Sequence, residues 1–375
     1  MTNSASSGVL TDRVLMGPGP CNPYPEAVAA LSRPMLGHMD PEFIALLDET
    51  NARLRVLFGT NNELTFPVSG TGSAGMEAAF VNVIRPRDVA VIAVNGVFGV
   101  RMCDVAQRCG ANVIAVETEW GKPVDAEQLL SAHPDPAVIG VVHAETSTGA
   151  RSDIAALADR HENTLLIMDC VTSLGGMPVK LDVWNVDLAY SGTQKCLGVA
   201  PGLSPFSVSP RAVQRIVEVP QSWYLDLNMI AKYTSGTAAR AYHHTAPISM
   251  IFSLHAALGR ILNEGMENAF ERHASSAQLL RSGLEDLGLK LFAEAGSRLN
   301  SLTSVWIPQD RLPPDSTEAD IRALLLTEYG IEIGGGLGDF AGKIWRIGTM
   351  GHSAHPRNVR LLLAALDDCL VPRNP

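Results

Sequence analysis

Between residues 63 and 209 the chain alternates short apolar runs with longer amphipathic ones, and this alternation constrains the fold more than any other feature. The short runs are ELTFPV, VAVIAV, NVIAVE, AVIGVV, TLLIMD, DLAYSG and LSPFSVS. They are β-branched and nearly unbroken, the texture of strands covered on both faces. Between the earlier ones lie SAGMEAAFVNVI, FGVRMCDVAQRCG, VDAEQLLSAH and DIAALADRHE, whose apolar residues recur at helical spacing. Such alternation predicts an α/β fold around a mostly parallel sheet.

After the long helical pattern PISMIFSLHAALGRILNEG the texture changes. Helical MENAFERHASSAQLLRSGLEDLG, EADIRALLLTEYG and HPRNVRLLLAALDDCL surround strand-like LKLFA, LTSVWIP, IEIGG and IWRIG. This predicts a smaller C-terminal α+β domain over residues 265–375, a large domain over 17–264 and an N-terminal arm over 1–16. A length of 375 residues suits that division. The Ser-rich opening MTNSASSG is expected to be disordered, and PQDRLPPDST reads as a polar loop on the second domain.

A net charge of −10 and no clustered basic patch exclude a nucleic-acid surface, which must neutralise phosphates. The apolar runs are too short to span a bilayer, and the N-terminus has no basic region followed by an apolar stretch. A soluble, cytoplasmic protein is expected, and the ending VPRNP is not a peroxisomal address. Cys21, Cys103, Cys109, Cys170, Cys196 and Cys369 show no paired spacing and read as core or near-site residues of a reducing compartment. His243-His244 in AYHHTAP lacks further ligands at metal spacing, so no metal is expected and a packing role is assigned.

Residues 70–75 read GTGSAG, a literal G-x-G-x-x-G between a strand and a helix, which raises a nicotinamide oxidoreductase. That fingerprint wants an acid at the end of the next strand, but VAVIAVNG ends in Asn95. What remains is a helix start at Thr71, Gly72 and Ser73, whose free backbone N–H groups suit a phosphate. A bare helix cap by Thr71 or Ser73 explains the loop equally well.

Asp169 ends TLLIMD, where a parallel strand's carboxyl end aims an acid into the ligand crevice. Lys195, in SGTQKCLG, follows one strand later among small residues that leave room for a reacting amine. A phosphate loop, an aspartate and a lysine together suggest pyridoxal phosphate. The lysine amine would condense with the cofactor aldehyde and later move the substrate's α-proton, and the aspartate would keep the pyridine nitrogen protonated.

GPGPCNPYPEAV, SGTGSAGMEA, HAETSTG, MDCVTSLGG, SGTQKCLGVAPG, YHHT and KIWRIG, in this order, resemble the class V, fold-type I aminotransferases, in particular the alanine–glyoxylate and serine–glyoxylate branch. The resemblance implies a large domain with a mostly parallel seven-stranded sheet plus the smaller α+β domain. It implies that Lys195 is the Schiff-base lysine and Asp169 the pyridine-nitrogen partner. Thr71, Gly72, Ser73 and Gln194 would hold the phosphate, joined by Tyr242 and Thr245 from the other subunit of a homodimer. Thr146 would bond the cofactor's phenolic oxygen and Val171 would pack on one ring face. Phe98 would take the other face, where relatives stack a tryptophan or tyrosine. Arg346 would grip the substrate carboxylate through its planar guanidinium. An arginine in an otherwise apolar strand needs a partner whatever the family.

This branch favours alanine or serine as donor and glyoxylate or pyruvate as acceptor, in a ping-pong reaction. DPEFIALLDET, HAETSTG and AGKIWRIGTMG closely resemble ureidoglycine–glyoxylate aminotransferases, and overall similarity leans that way, but a ureido group needs amide-type partners. The two pocket positions carry His38, in LGHMD, and Tyr242, as in the alanine and serine enzymes. Pyridoxamine–pyruvate and aminoethylphosphonate transamination rank below these. A cysteine desulfurase needs a mobile nucleophilic cysteine, which neither Cys196 nor Cys369 supplies.

Overall fold

The structure, a computed structural model, describes residues 11–234 and 240–371; the Ser-rich opening and most of VPRNP lie outside them. Its centre is a seven-stranded sheet of β1 (Leu64–Ser69), β2 (Val89–Val94), β3 (Asn112–Glu117), β4 (Val138–Val142), β5 (Leu165–Asp169), β6 (Leu188–Tyr190) and β7 (Leu203–Val208). The order across the sheet is β1-β7-β6-β5-β4-β2-β3. Only β7 runs antiparallel to its neighbours, so β1 to β6 all point the same way.

The unbroken runs are explained by two cores, one on each face of this sheet. Successive strand side chains point to opposite faces. Val91, Ala93, Ile139, Val141, Leu166 and Met168 enter one core, closed by α1 (Pro41–Phe58) and α4 (Ile248–Glu264). Ala90, Ile92, Val138, Val142, Leu165 and Ile167 enter the other, closed by α2 (Gly72–Val81) and α3 (Val97–Arg108).

The C-terminal part has its own three-stranded antiparallel sheet, ordered β8 (Leu302–Trp306), β10 (Ile344–Gly348), β9 (Gly334–Gly335). Its core joins Trp345 and Ile347 to Leu280 and Leu284 of α5 (Met266–Asp286), Ile321 and Leu325 of α6 (Glu318–Glu328) and Leu362 and Leu366 of α7 (Pro356–Cys369). Near the N-terminus Val14–Leu15 pairs in parallel with Ile331–Glu332, and Met16 enters this same core.

Two predicted elements differ. DIAALADRHE forms only a 3-10 turn at Ala155–Leu157, not a helix. The buried Arg160 at its end donates to the carbonyls of Thr164 and Asn185 and to Asp187, which ties the segment to the sheet before helix can propagate. LKLFA touches β8 through the isolated bridge Leu291–Val305, with bonds from Phe292 and Trp306 amides on either side, and is extended without becoming a regular strand.

Candidate active site

Parallel strands deliver their following loops to one edge of the sheet, where ligand crevices form. One cavity of about 180 Å³ lies there, lined by Thr71, Gly72, Ser73, Met76, Phe98, Arg101, Asp169, Val171, Gln194 and Lys195. It gathers residues that follow β1, β2, β5 and β6. The predicted Thr146 and Arg346 meet each other nearby, whereas His38, Tyr242 and Thr245 lie elsewhere.

Hydrogen bonding at GTGSAG leaves the start of the helix open. Thr71 is the N-cap of α2, yet its side chain makes no capping bond. The first amides of the helix are therefore left to whatever occupies the cavity, at the positive end of the helix dipole. Gly72 allows a close approach: a Cβ there would come within 2.9 Å of a Val171 methyl.

Lys195 is buried, and its Nζ donates to the Pro18 carbonyl. Burial, then the positive charge of Arg346, push its pKa down to about 8. About a tenth of the amine is then neutral at pH 7, the form a nucleophilic amine requires. One small residue of SGTQKCLG also answers to packing. The space beside Gly198 is filled by the Tyr24 ring, which a Cβ at that position would meet at 2.5 Å, and it is Gly19 whose Cβ would strike the lysine Nζ. The GPGP turn, with Gly19 at φ +106°, packs against the lysine amine.

Asp169, at the end of β5, accepts the Val171 amide at 2.9 Å. Burial pushes its carboxyl up to about 7, against that bond and the nearby Tyr190 hydroxyl. A cationic ring nitrogen beside it would reverse the shift, since an opposite charge favours the ionised form.

Arg346 sits in β10, where Trp345 and Ile347 face the C-terminal core, so strand alternation turns Arg346 to the opposite side. Its Nε donates to the Gly335 carbonyl at 2.7 Å and Nη1 to the Thr146 carbonyl at 3.3 Å. Burial pushes its pKa down to about 10, opposed by the charge of Glu145, so it remains cationic at neutral pH.

Glu145 was not singled out in the sequence. It is fully buried and accepts the Phe98 amide at 3.1 Å, the Ser147 amide at 3.0 Å and the Ser147 hydroxyl at 2.6 Å. The Ser147 hydroxyl in turn accepts the Val97 amide at 2.9 Å. The N-cap of α3 is Gly96, which has no side chain, and a Cβ there would collide with the Glu145 carboxyl. A carboxyl group from the short strand Ala144–Glu145, just after β4, thus caps the helix that carries Phe98, and favours its positive end. A glycine at a cap position, with HAETSTG elsewhere in the chain, is the only sequence signal for this. Arg101, one turn after Phe98, was missed as well; its place on the same helix face as Phe98 was the available clue.

His38 and Tyr242 meet each other, ring centroids 5.1 Å apart, on an open face. Tyr242 is 60% exposed there, and His38 and Thr245 line a shallow apolar depression. His243 and His244 form a chain: His243 bonds the Trp223 carbonyl at 3.1 Å, the two rings bond at 2.7 Å, and His244 bonds Ser69 Oγ at 2.7 Å. The pair ties this segment to the end of β1.

The family described as Aminotransferase class-V matches residues 21–339. The chain belongs to the class-V aminotransferases. Within that family it is 36% identical to the (S)-ureidoglycine–glyoxylate transaminase of Bacillus subtilis, over 96% of this chain and 91% of the relative. It is also 36% identical to the alanine–glyoxylate aminotransferase of Callithrix jacchus, over 96% of this chain and 87% of the relative. A solved structure of alanine–glyoxylate aminotransferase from Nostoc sp. superimposes with a TM-score of 0.91 at 44% identity, over 96% of each chain. The fold is that of the fold-type I enzymes.

A class-V aminotransferase uses pyridoxal phosphate, and the cavity fits it. Gln194, whose side-chain NH2 can donate to a phosphate oxygen, lines the cavity together with helix amides unclaimed by a cap. A cation-accepting carboxyl, an amine and an aromatic face complete the set. The nicotinamide reading of GTGSAG falls away. Among the described residues no helix is long and apolar enough to cross a membrane.

Proposed function

We propose that the chain transfers the amino group of a small amino acid, alanine or serine, to glyoxylate or pyruvate, in two half-reactions at the cavity around Lys195. When bound, pyridoxal phosphate supplies an aldehyde that condenses with amines and a ring that accepts electrons from the substrate's α-carbon. Lys195, partly neutral through its lowered pKa, would anchor the cofactor and would carry the substrate's α-proton between its positions. Asp169 keeps the ring nitrogen protonated. Thr71, Gly72, Ser73 and Gln194 would hold the phosphate, Val171 and Phe98 would pack against the ring, and Thr146 would bond its phenolic oxygen. Arg346 binds the substrate carboxylate, exchanging two backbone carbonyls for a charged partner.

The observation that carries this reading is a buried lysine and a buried carboxyl lining one cavity with uncapped helix amides. The buried thiols of Cys21 and Cys196 are pushed up to about 12, which argues against a thiolate nucleophile beside the lysine. A homodimer is part of the proposal: Trp223, Tyr242 and Met35 present exposed apolar surface near Thr245, and in a second copy Tyr242 and Thr245 reach the phosphate.

A second reading, ureidoglycine as donor, is favoured by the Bacillus subtilis relative, whose identity equals that of the alanine enzyme. The deciding experiment is the visible spectrum of the purified protein with L-alanine, L-serine or ureidoglycine added separately, then glyoxylate. The yellow band is expected to bleach fastest with alanine or serine and to return with glyoxylate. Faster bleaching by ureidoglycine would replace the first reading by the second.

A further inference from the structure

We propose that Arg101 supplies the positive charge that holds the cofactor phosphate, a role that rests on the phosphate lying at Thr71–Ser73. The other groups assigned to that phosphate on this chain, the Thr71, Gly72 and Ser73 amides and hydroxyls and the Gln194 amide, are all neutral. A phosphate dianion bound by neutral donors alone keeps most of its charge uncompensated, and Lys195 is committed to the aldehyde. Arg101 lines the same cavity. Its Nη1 lies 3.4 Å from Ser73 Oγ, so the guanidinium already stands at the phosphate end.

Arg101 is exposed, and the residues around it direct its side chain. Arg101 follows Phe98 by three residues on α3, and its guanidinium carbon lies 4.8 Å from the centroid of the Phe98 ring. A cation over a ring face is attracted by the ring quadrupole, so Phe98 steers Arg101 as it faces the cofactor. The nearby carboxylate of the same helix, Asp104, is taken by Arg108 at 2.9 Å. Among the described residues Arg101 has no ion-pair partner. The cap from Glu145 fixes the start of α3, and with it both the ring and the guanidinium. Where Phe98 lacks the polar tip of a tryptophan or tyrosine, the charged group one turn on provides donors at the same end of the site.

The test compares two ligands that differ only in the phosphate. Cofactor-free protein is titrated with pyridoxal phosphate and, separately, with pyridoxal, following the visible band and tryptophan fluorescence. Arg101→Gln is expected to weaken pyridoxal phosphate by about ten- to a hundred-fold and leave pyridoxal unchanged, the effect of losing one charge-assisted contact. Arg101→Lys, which keeps the charge but not the fork, is expected to fall between. Equal weakening of both ligands would overturn the role, because it would mean that Arg101 acts through the Phe98 ring; so would no change in either. Ser73→Ala, run in parallel, tests what the Ser73 hydroxyl adds. If it leaves pyridoxal phosphate binding intact while Arg101→Gln weakens it, the Ser73 hydroxyl is dispensable and the helix amides with the guanidinium hold the phosphate.

Discussion

Around Lys195 the charged groups are buried and enclosed by one chain, whereas around Tyr242 large apolar side chains face outward. Lys195 is 9% exposed, Asp169 3% and Arg346 7%; Tyr242, Trp223 and Met35 are 60%, 61% and 68% exposed. None of the three buried groups has an ion-pair partner among the described residues. Lys195 and Arg346 donate to backbone carbonyls, and Asp169 accepts one amide. Burying charge on such terms is unfavourable unless a ligand completes the pairing. The open face has the opposite deficit, apolar area without cover. A small charged molecule would complete the first region, and a second copy of the chain, in the proposed homodimer, would cover the second.

The comparison breaks most visibly if the buried region is not where chemistry occurs. Lys195→Ala is expected to abolish the imine absorbance and reduce turnover by roughly a thousand-fold or more, the usual scale for removing a group that is both nucleophile and proton carrier. Turnover at the original rate would show that the lysine is only a buried cation bonded to Pro18.

How much of this was legible follows the same division. Lys195, Asp169 and the helix start at Thr71 could be read because each sits at a strand's carboxyl end, where local pattern fixes direction. Glu145 and Gly19 could not. Their roles depend on chain segments that meet only after folding: Glu145 caps a helix whose Phe98 lies 47 residues away, and Pro18 lies 177 residues from Lys195. Period-2 and period-3.6 patterns carry no information about such meetings. They also misled at DIAALADRHE, where helical spacing lost to the bonds of Arg160. On the open face the motif resemblance named Tyr242 and Thr245, while one chain's physics leaves them facing solvent.

The second effect concerns stability and pH. Burial raises the Asp169 carboxyl from 3.8 to about 7 in the folded chain. Below about pH 4 both folded and unfolded chains hold the proton, and this group costs nothing. As pH rises from there towards 7 the unfolded chain ionises freely while the folded chain resists, so stability is lost. The difference in melting temperature between cofactor-free wild type and Asp169→Asn is therefore expected to move against the wild type as pH rises through that window. Pyridoxal phosphate should shrink the difference at the upper end, by giving the carboxylate a cation. A difference that stays flat with pH would mean that Asp169 is solvated or already paired.

The smallest expected effect tests whether the two regions belong to one site. Tyr242→Phe removes a single hydroxyl, and one neutral hydrogen bond is worth about 0.5–1.5 kcal/mol, so cofactor affinity should fall by roughly two- to ten-fold. Which chain's phosphate the hydroxyl serves is read by co-expressing Tyr242→Phe with Lys195→Ala. If the contact crosses between copies, the mixed dimer holds one site with the lysine of the first variant and the tyrosine of the second, and that site binds pyridoxal phosphate as tightly as wild type. If the contact stays within a chain, every site with a lysine carries its own phenylalanine, and the weakened affinity persists in the mixture. The first outcome makes the exposed tyrosine part of a neighbour's active site. The second leaves the face as interface surface alone, and the cavity around Lys195 complete within one chain.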